Sequence, residues 1–152
     1  MATFEHTINV NVPVHLVYHQ WTQFEELPRF MEGIAWIQQL GPDHLRWRAE
    51  IAGDTQEWNA VVTVRTPNQC LSWASVSAVE LNVMVTFQPV AEDVTRIVYC
   101  VQYMPRGLME KVGTALGVVD QRMAQDLARF KHWMEEQHIA TQAWLMDEAL
   151  AV

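Results

Sequence analysis

QWTQFEELPRFMEGI, residues 20–34, sets six bulky apolar side chains (Trp21, Phe24, Leu27, Phe30, Met31 and Ile34) among three glutamates and a proline. Pro28 forces Leu27 out of helical geometry, so the segment reads as two short helical pieces with a bend between them. The first piece begins upstream in VPVHLVYHQW, where Pro13 suits a helix start and Val14, Val17, Tyr18 and Trp21 recur at helical spacing. Ahead of it, TFEHTINVNV alternates: Phe4, His6, Ile8 and Val10 on one face, Glu5, Thr7, Asn9 and Asn11 on the other. A period of two marks a half-buried strand. One strand followed at once by two short helices constrains what the rest of the chain has to supply.

Residues 35–104 supply hairpins. HLRWRAEI places Leu45, Trp47, Ala49 and Ile51 on one face and Arg46, Arg48 and Glu50 on the other. AGDT turns the chain, Gly-Asp being a hairpin signal, and EWNAVVTV then turns Trp58, Ala60, Val62 and Val64 inward. Glu57 falls outside with Arg46 and Arg48. LSWAS adds Leu71, Trp73 and Ser75 to the inner face; LNVMVTF adds Val83, Val85 and Phe87; TRIVYCVQY adds Ile97, Tyr99, Val101 and Tyr103. An antiparallel meander of six strands results, with an aromatic face. A register slip of one residue would exchange the two faces.

After Pro105 the period becomes helical. Met109, Val112, Leu116, Val119, Met123, Leu127, Phe130 and Met134 form a continuous apolar stripe, which must bury itself on the sheet. Asp126, Arg122 and Arg129 are assigned to the remaining, polar faces. A single helix from Arg106 to Leu150 would run ~67 Å, against about 38 Å for a domain of this size. The helix therefore breaks near His138–Thr141 or protrudes. Trp144, Leu145 and Met146 then pack back or join a partner subunit, and a homodimer through this tail is the expectation. The chain divides into a domain of residues 1–138 and a helical tail of residues 139–152.

Composition narrows the function. Half of the 152 residues are hydrophobic and 18% are charged, as in a globular domain, and the net charge of −8 disfavours nucleic acid and anionic membrane surfaces. No apolar run reaches the ~20 residues of a membrane span, and MATFEHTINV lacks the basic start of a leader, so a cytoplasmic location is expected. Seven tryptophans and eight methionines offer the adaptable surface that suits either an irregular cavity or an ordinary core. His15 and His19 have metal-ligand spacing without a third partner, while His132 and His138 read as helix-end cations. Neither a metal nor a cofactor is expected. Gly113 and Gly117 thin the long helix, making room for a ligand or for close packing. Cys70 and Cys100 read as free thiols.

Strand, two short helices, meander and long amphipathic helix follow one another as in the START-like superfamily. The chain resembles its polyketide cyclase/dehydrase branch, close to the coenzyme Q-binding proteins, through VNVPVHLVYHQWTQFEELPRFM (10–31), AGDTQEWNA (52–60), LSWAS (71–75), VTF (85–87), YMPRG (103–107) and DLARFK (126–131). It departs from that pattern at SAVELNV (77–83) and at VVDQR (118–122), both near the expected cavity mouth, so ligand identity is not carried over.

The resemblance implies an α+β helix-grip fold: a seven-stranded antiparallel sheet wrapped around the C-terminal helix, with a hydrophobic cavity between them. Trp21, Phe24, Phe30 and Met31 would line its lid, or simply plug the core. Trp47, Trp58, Trp73, Ser75, Phe87, Tyr99 and Tyr103 from the sheet and Met109, Val112, Leu116 and Met123 from the helix would complete a ligand-binding wall. That inward set carries no carboxylate or imidazole, and only Tyr103 stands out as a weak catalytic candidate. The expected function is sequestration of a small hydrophobic or aromatic molecule (a lipid, quinone or polyketide-like compound), with an aromatase/cyclase or dehydratase, or a lipid or quinone chaperone, as alternatives.

Overall fold

A computed structural model describes residues 2–76, 80–104 and 109–150, the side chains of 109–114 and 149–150 excepted. The chain runs β1 (Ala2–Val10), α1 (Val14–Thr22), a 3₁₀ segment (Phe24–Arg29), β2 (Ile34–Gln39), β3 (His44–Ile51), β4 (Asp54–Thr66), β5 (Cys70–Ser75), β6 (Glu80–Ala91), β7 (Val94–Met104) and α2 (Met109–Leu150). The seven strands form one antiparallel sheet in the order β1-β7-β6-β5-β4-β3-β2, so the first strand closes on the last and the meander follows in sequence order. This is the helix-grip architecture.

The inner face follows the alternation of the sequence. Leu45, Trp47, Ala49 and Ile51 on β3, Trp58, Ala60 and Val62 on β4, and Ile97, Tyr99, Val101 and Tyr103 on β7 are buried. Outside, Arg46 and Arg48 reach Glu57 at 2.9 and 3.4 Å. Two local expectations fail. The β3–β4 hairpin turns on Ala52 and Gly53, both at positive φ (51° and 87°), and not on Gly-Asp; two left-handed residues give the turn whose twist matches the strands. A bulge between Val62 and Val64 then shifts the register, so Val64 lies opposite Ser72 and faces outward. The same bulge leaves Arg65 opposite Leu71, with its guanidinium 5.3 Å from the ring centre of Phe24.

Cys70 and Cys100 are free and half-buried, on strands separated by β6. Two strand spacings, about 9.5 Å, exceed the reach of a disulfide. Burial raises the pKa of both thiols.

Helix α2 is 42 residues long and does not break at His138–Thr141. It buries Ala115, Met123, Leu127, Phe130 and Met134, and then projects, with residues 139–148 exposed throughout. His132 and His138 accordingly lie well inside the helix and not in its last turns; His132 sits 3.0 Å from Glu136 one turn on. Among the described residues, no helix is long and apolar enough to cross a membrane.

A candidate ligand cavity between sheet and helix

A cavity of about 80 Å³ lies between the inner face of the sheet and α2. Trp47, Ala49 and Ile51 on β3, with Trp58, Trp73, Val83, Tyr99 and Val101 from the following strands, form its sheet wall. Val119, Arg122, Met123 and Asp126 form its helix wall, and Met31, Glu32 and Ile34 close it from the segment leading into β2. A single water needs roughly 10–15 Å³ by this kind of measure, so the space suits a small molecule of about one ring.

Three indoles dominate the sheet wall. Trp47 stacks on Trp58 at 6.0 Å with 8° between planes, and on Trp73 at 5.8 Å with 21°. The hairpin register sets Trp47 opposite Trp58. Strands β3 and β5 flank β4, whose inner face carries the small Ala60 between Trp58 and Val62, leaving room for the indoles of Trp47 and Trp73 to meet. The indole N–H groups of all three, and of Trp21, are buried without a hydrogen-bond partner among the described residues. A buried donor left unpaired costs about 1–3 kcal/mol, and buried tryptophans ordinarily find an acceptor.

The helix wall is polar at two points, Arg122 and Asp126. Asp126 is only 8% exposed. Its Oδ1 accepts the Glu32 N–H at 3.2 Å and a bond from the Arg129 guanidinium. Arg129 is itself held by donating to the Phe30 carbonyl at 2.9 Å, and its second terminal nitrogen lies 3.4 Å from the Glu32 carboxylate. Burial pushes the Asp126 pKa up to about 6, outweighing the Arg129 charge and hydrogen bond, the Glu32 amide and the Arg122 charge, all of which pull it down. Tyr99, across the cavity, is raised well above the ordinary phenol range by burial first and by the Asp126 charge second. Arg122 donates to the Glu50 carbonyl and lies over Gly33, whose φ of +90° favours glycine and where a Cβ would displace that guanidinium. Near the opposite edge of the sheet, the His6 imidazole meets Asp120 of α2 at 2.7 Å.

Of the residues singled out by sequence, Met31, Trp47, Trp58, Trp73, Tyr99 and Met123 come together around this cavity. Trp21, Phe24 and Phe30 are buried elsewhere: Trp21 packs on Tyr99 and Phe130 at 5.5 and 5.4 Å, Phe24 on Trp73 at 5.8 Å, and Phe30 on Phe130 and Trp133 at 5.2 and 5.0 Å. Phe87 packs edge-on to Tyr18 at 5.4 Å. Tyr103 is fully buried opposite Ala2 and Leu81 but does not border the cavity, and burial raises its pKa. Ser75 is half-buried and accepts the Leu81 N–H at 2.9 Å. Leu116 packs on the core without bordering the cavity. Gly117 is exposed, with open space where a Cβ would stand, so it thins no contact. Met109, Val112 and Gly113 lie outside the residues whose side chains are described. His15 and His19 are exposed, and among the described residues no group of three or more His, Cys, Asp or Glu could hold a metal.

The apolar stripe read from the sequence leaves Asp126 on a polar helix face; the structure places it in the wall. The signal was present: position 126 is three after Met123 and four before Phe130, inside the apolar stripe.

Residues 10–132 match the family described as polyketide cyclase / dehydrase and lipid transport. An uncharacterised 17.2 kDa protein of Streptomyces lincolnensis is 36% identical over 145 residues, covering 95% of this chain and 97% of its own. Among solved structures, the aromatase/cyclase Zhui from a Streptomyces species superposes with a TM-score of 0.77 at 14% identity, covering 91% of this chain and 95% of that one. A START superfamily protein from Mycobacterium smegmatis gives 0.72 at 15% identity, over 87% and 98%. A Deinococcus radiodurans protein gives 0.74 at 22%, over 90% and 99%. At these identities the structural likenesses speak for the fold alone; the sequence matches go further, and by them the chain belongs to the polyketide cyclase/dehydrase and lipid transport family.

Proposed function

We propose that the protein binds a small hydrophobic or aromatic molecule in the cavity between sheet and helix, and holds it out of water. The observation that carries this reading is the wall of three stacked, buried indoles whose N–H groups have no acceptor among the described residues. Donors left without an acceptor in a cavity wall are open to an acceptor on a ligand. Flat aromatic surface with spare donors suits a flat, acceptor-bearing ligand.

A second reading, cyclisation or dehydration, draws support from one residue. Asp126 borders the cavity with a pKa near 6, within the range useful to a general acid or base at neutral pH. Tyr103, buried away from the cavity, has no such position.

Native mass spectrometry of freshly purified protein, followed by solvent extraction, tests the binding reading. A near-stoichiometric aromatic, quinone or lipid supports it and names the class; prenyl or acyl chains that exchange into vesicles would favour a carrier. Protein that is empty and takes up none of these when incubated with them would overturn it.

A further inference from the structure

We infer that the cavity is built for a single-ring phenol, whose ring lies on the tryptophan wall and whose hydroxyl donates to Asp126. This rests on the binding reading above and narrows it.

Three observations converge. The first is size: about 80 Å³ between sheet and helix suits a single ring more closely than a fused polycyclic skeleton or a long acyl chain. The second is the shape of the sheet wall. Trp47 and Trp58 lie nearly parallel, presenting flat, polarizable surface to which a ring stacks.

The third is the polar complement. Every hydrogen bond that Asp126 makes among the described residues goes to Oδ1, from Glu32 and Arg129, and Oδ2 accepts none. Asp126 borders the cavity, so this second oxygen is open to a donor on a ligand there. The indole N–H groups of Trp47, Trp58 and Trp73, buried and unpartnered, call for an acceptor. A phenolic hydroxyl is both donor and acceptor, and its ring is apolar elsewhere, matching a lining that is apolar except at Glu32, Arg122 and Asp126. A hydrocarbon ring would leave both kinds of group unpaired, and a site built to bond a hydroxyl discriminates strongly against an analogue lacking it.

The test compares 4-ethylphenol with ethylbenzene, which share shape and differ by the hydroxyl, together with hydroxyanthraquinone and palmitate as larger probes. Binding is read by titration calorimetry on the full chain, wild type and Asp126→Asn. The expected result is that wild type prefers 4-ethylphenol over ethylbenzene by at least tenfold, and that Asp126→Asn lowers this preference severalfold while ethylbenzene affinity holds. Equal binding of the two small probes overturns the inference and leaves the binding reading standing. So does selective binding of hydroxyanthraquinone or palmitate. Failure of all four probes overturns the inference and counts against the binding reading as well. The comparison in wild type decides the matter even if the Asn variant folds poorly.

Discussion

At Asp126 burial and ion pairing act in opposite directions, and burial prevails. Its folded pKa of about 6 lies above the ordinary 3.8, so the folded state holds this proton more tightly than the unfolded chain does. The stability that this provides is complete below about pH 4 and is lost as pH rises through 6, a change of up to roughly 3 kcal/mol for about two units. Asp126→Asn removes the cost of the buried charge. It is expected to stabilise the protein by about 1–2 kcal/mol at pH 7.5 and by much less at pH 4.5, as read from urea denaturation at both values. The same change at both pH values would show that the carboxylate titrates normally. Residue-scale detail of this kind was only partly legible in the sequence. Trp47, Trp58 and Trp73 were placed inward by alternation alone. Asp126 was assigned outward because its type outweighed its position, although its spacing to Met123 and Phe130 put it on the buried stripe. The outward turn of Val64 was not legible at all, since a bulge at Thr63 leaves no mark in the hydrophobic pattern.

Among the elements, the two short helical pieces around Pro28 show how chain composition and placement part company. The sequence supplied the bend and the greasy surface; which side of the core that surface joins depends on tertiary packing. Trp21 and Phe30 meet Phe130 of α2 and Phe24 meets Trp73 of β5, so this hairpin seals the fold, and Met31 alone of the four reaches the cavity. Helix α2 was legible from its stripe, but not its end. Residues 139–148 have helix-forming side chains and no neighbour to bury them, so propensity carries the helix, about 63 Å long in all, past the stretch that packing needs. Deleting residues 139–152 is therefore expected to shift the folding free energy by no more than about 0.5 kcal/mol, the range of ordinary surface changes. A loss of several kcal/mol on urea denaturation would mean that the tail is part of the domain's core or of a dimer that stabilises it. Sedimentation of both chains separates those two, because exposed Ile139, Trp144 and Met146 make the tail the surface through which self-association would act.

For the whole molecule, element order sufficed to read the architecture. One strand, two short helices, six meandering strands and a long helix leave few ways to bury the apolar stripe of α2 other than against the curved inner face of the sheet. The size of the space left between them was not legible, because the same large indoles can fill a gap or border one, and their ring orientations decide which. Here they border one, and Ala49, buried in the same wall, is the smallest side chain facing it. Ala49→Leu would fill that space with three additional carbons while keeping the strand apolar. The most direct measurement is intrinsic tryptophan fluorescence of wild type and Ala49→Leu, titrated with 4-ethylphenol, hydroxyanthraquinone and palmitate, alongside the thermal midpoint of each protein. Saturable quenching of wild type by at least one probe, abolished in a variant that stays folded, is the expected result. No saturable response in wild type, or an equal response in the filled variant, would contradict a ligand site between sheet and helix.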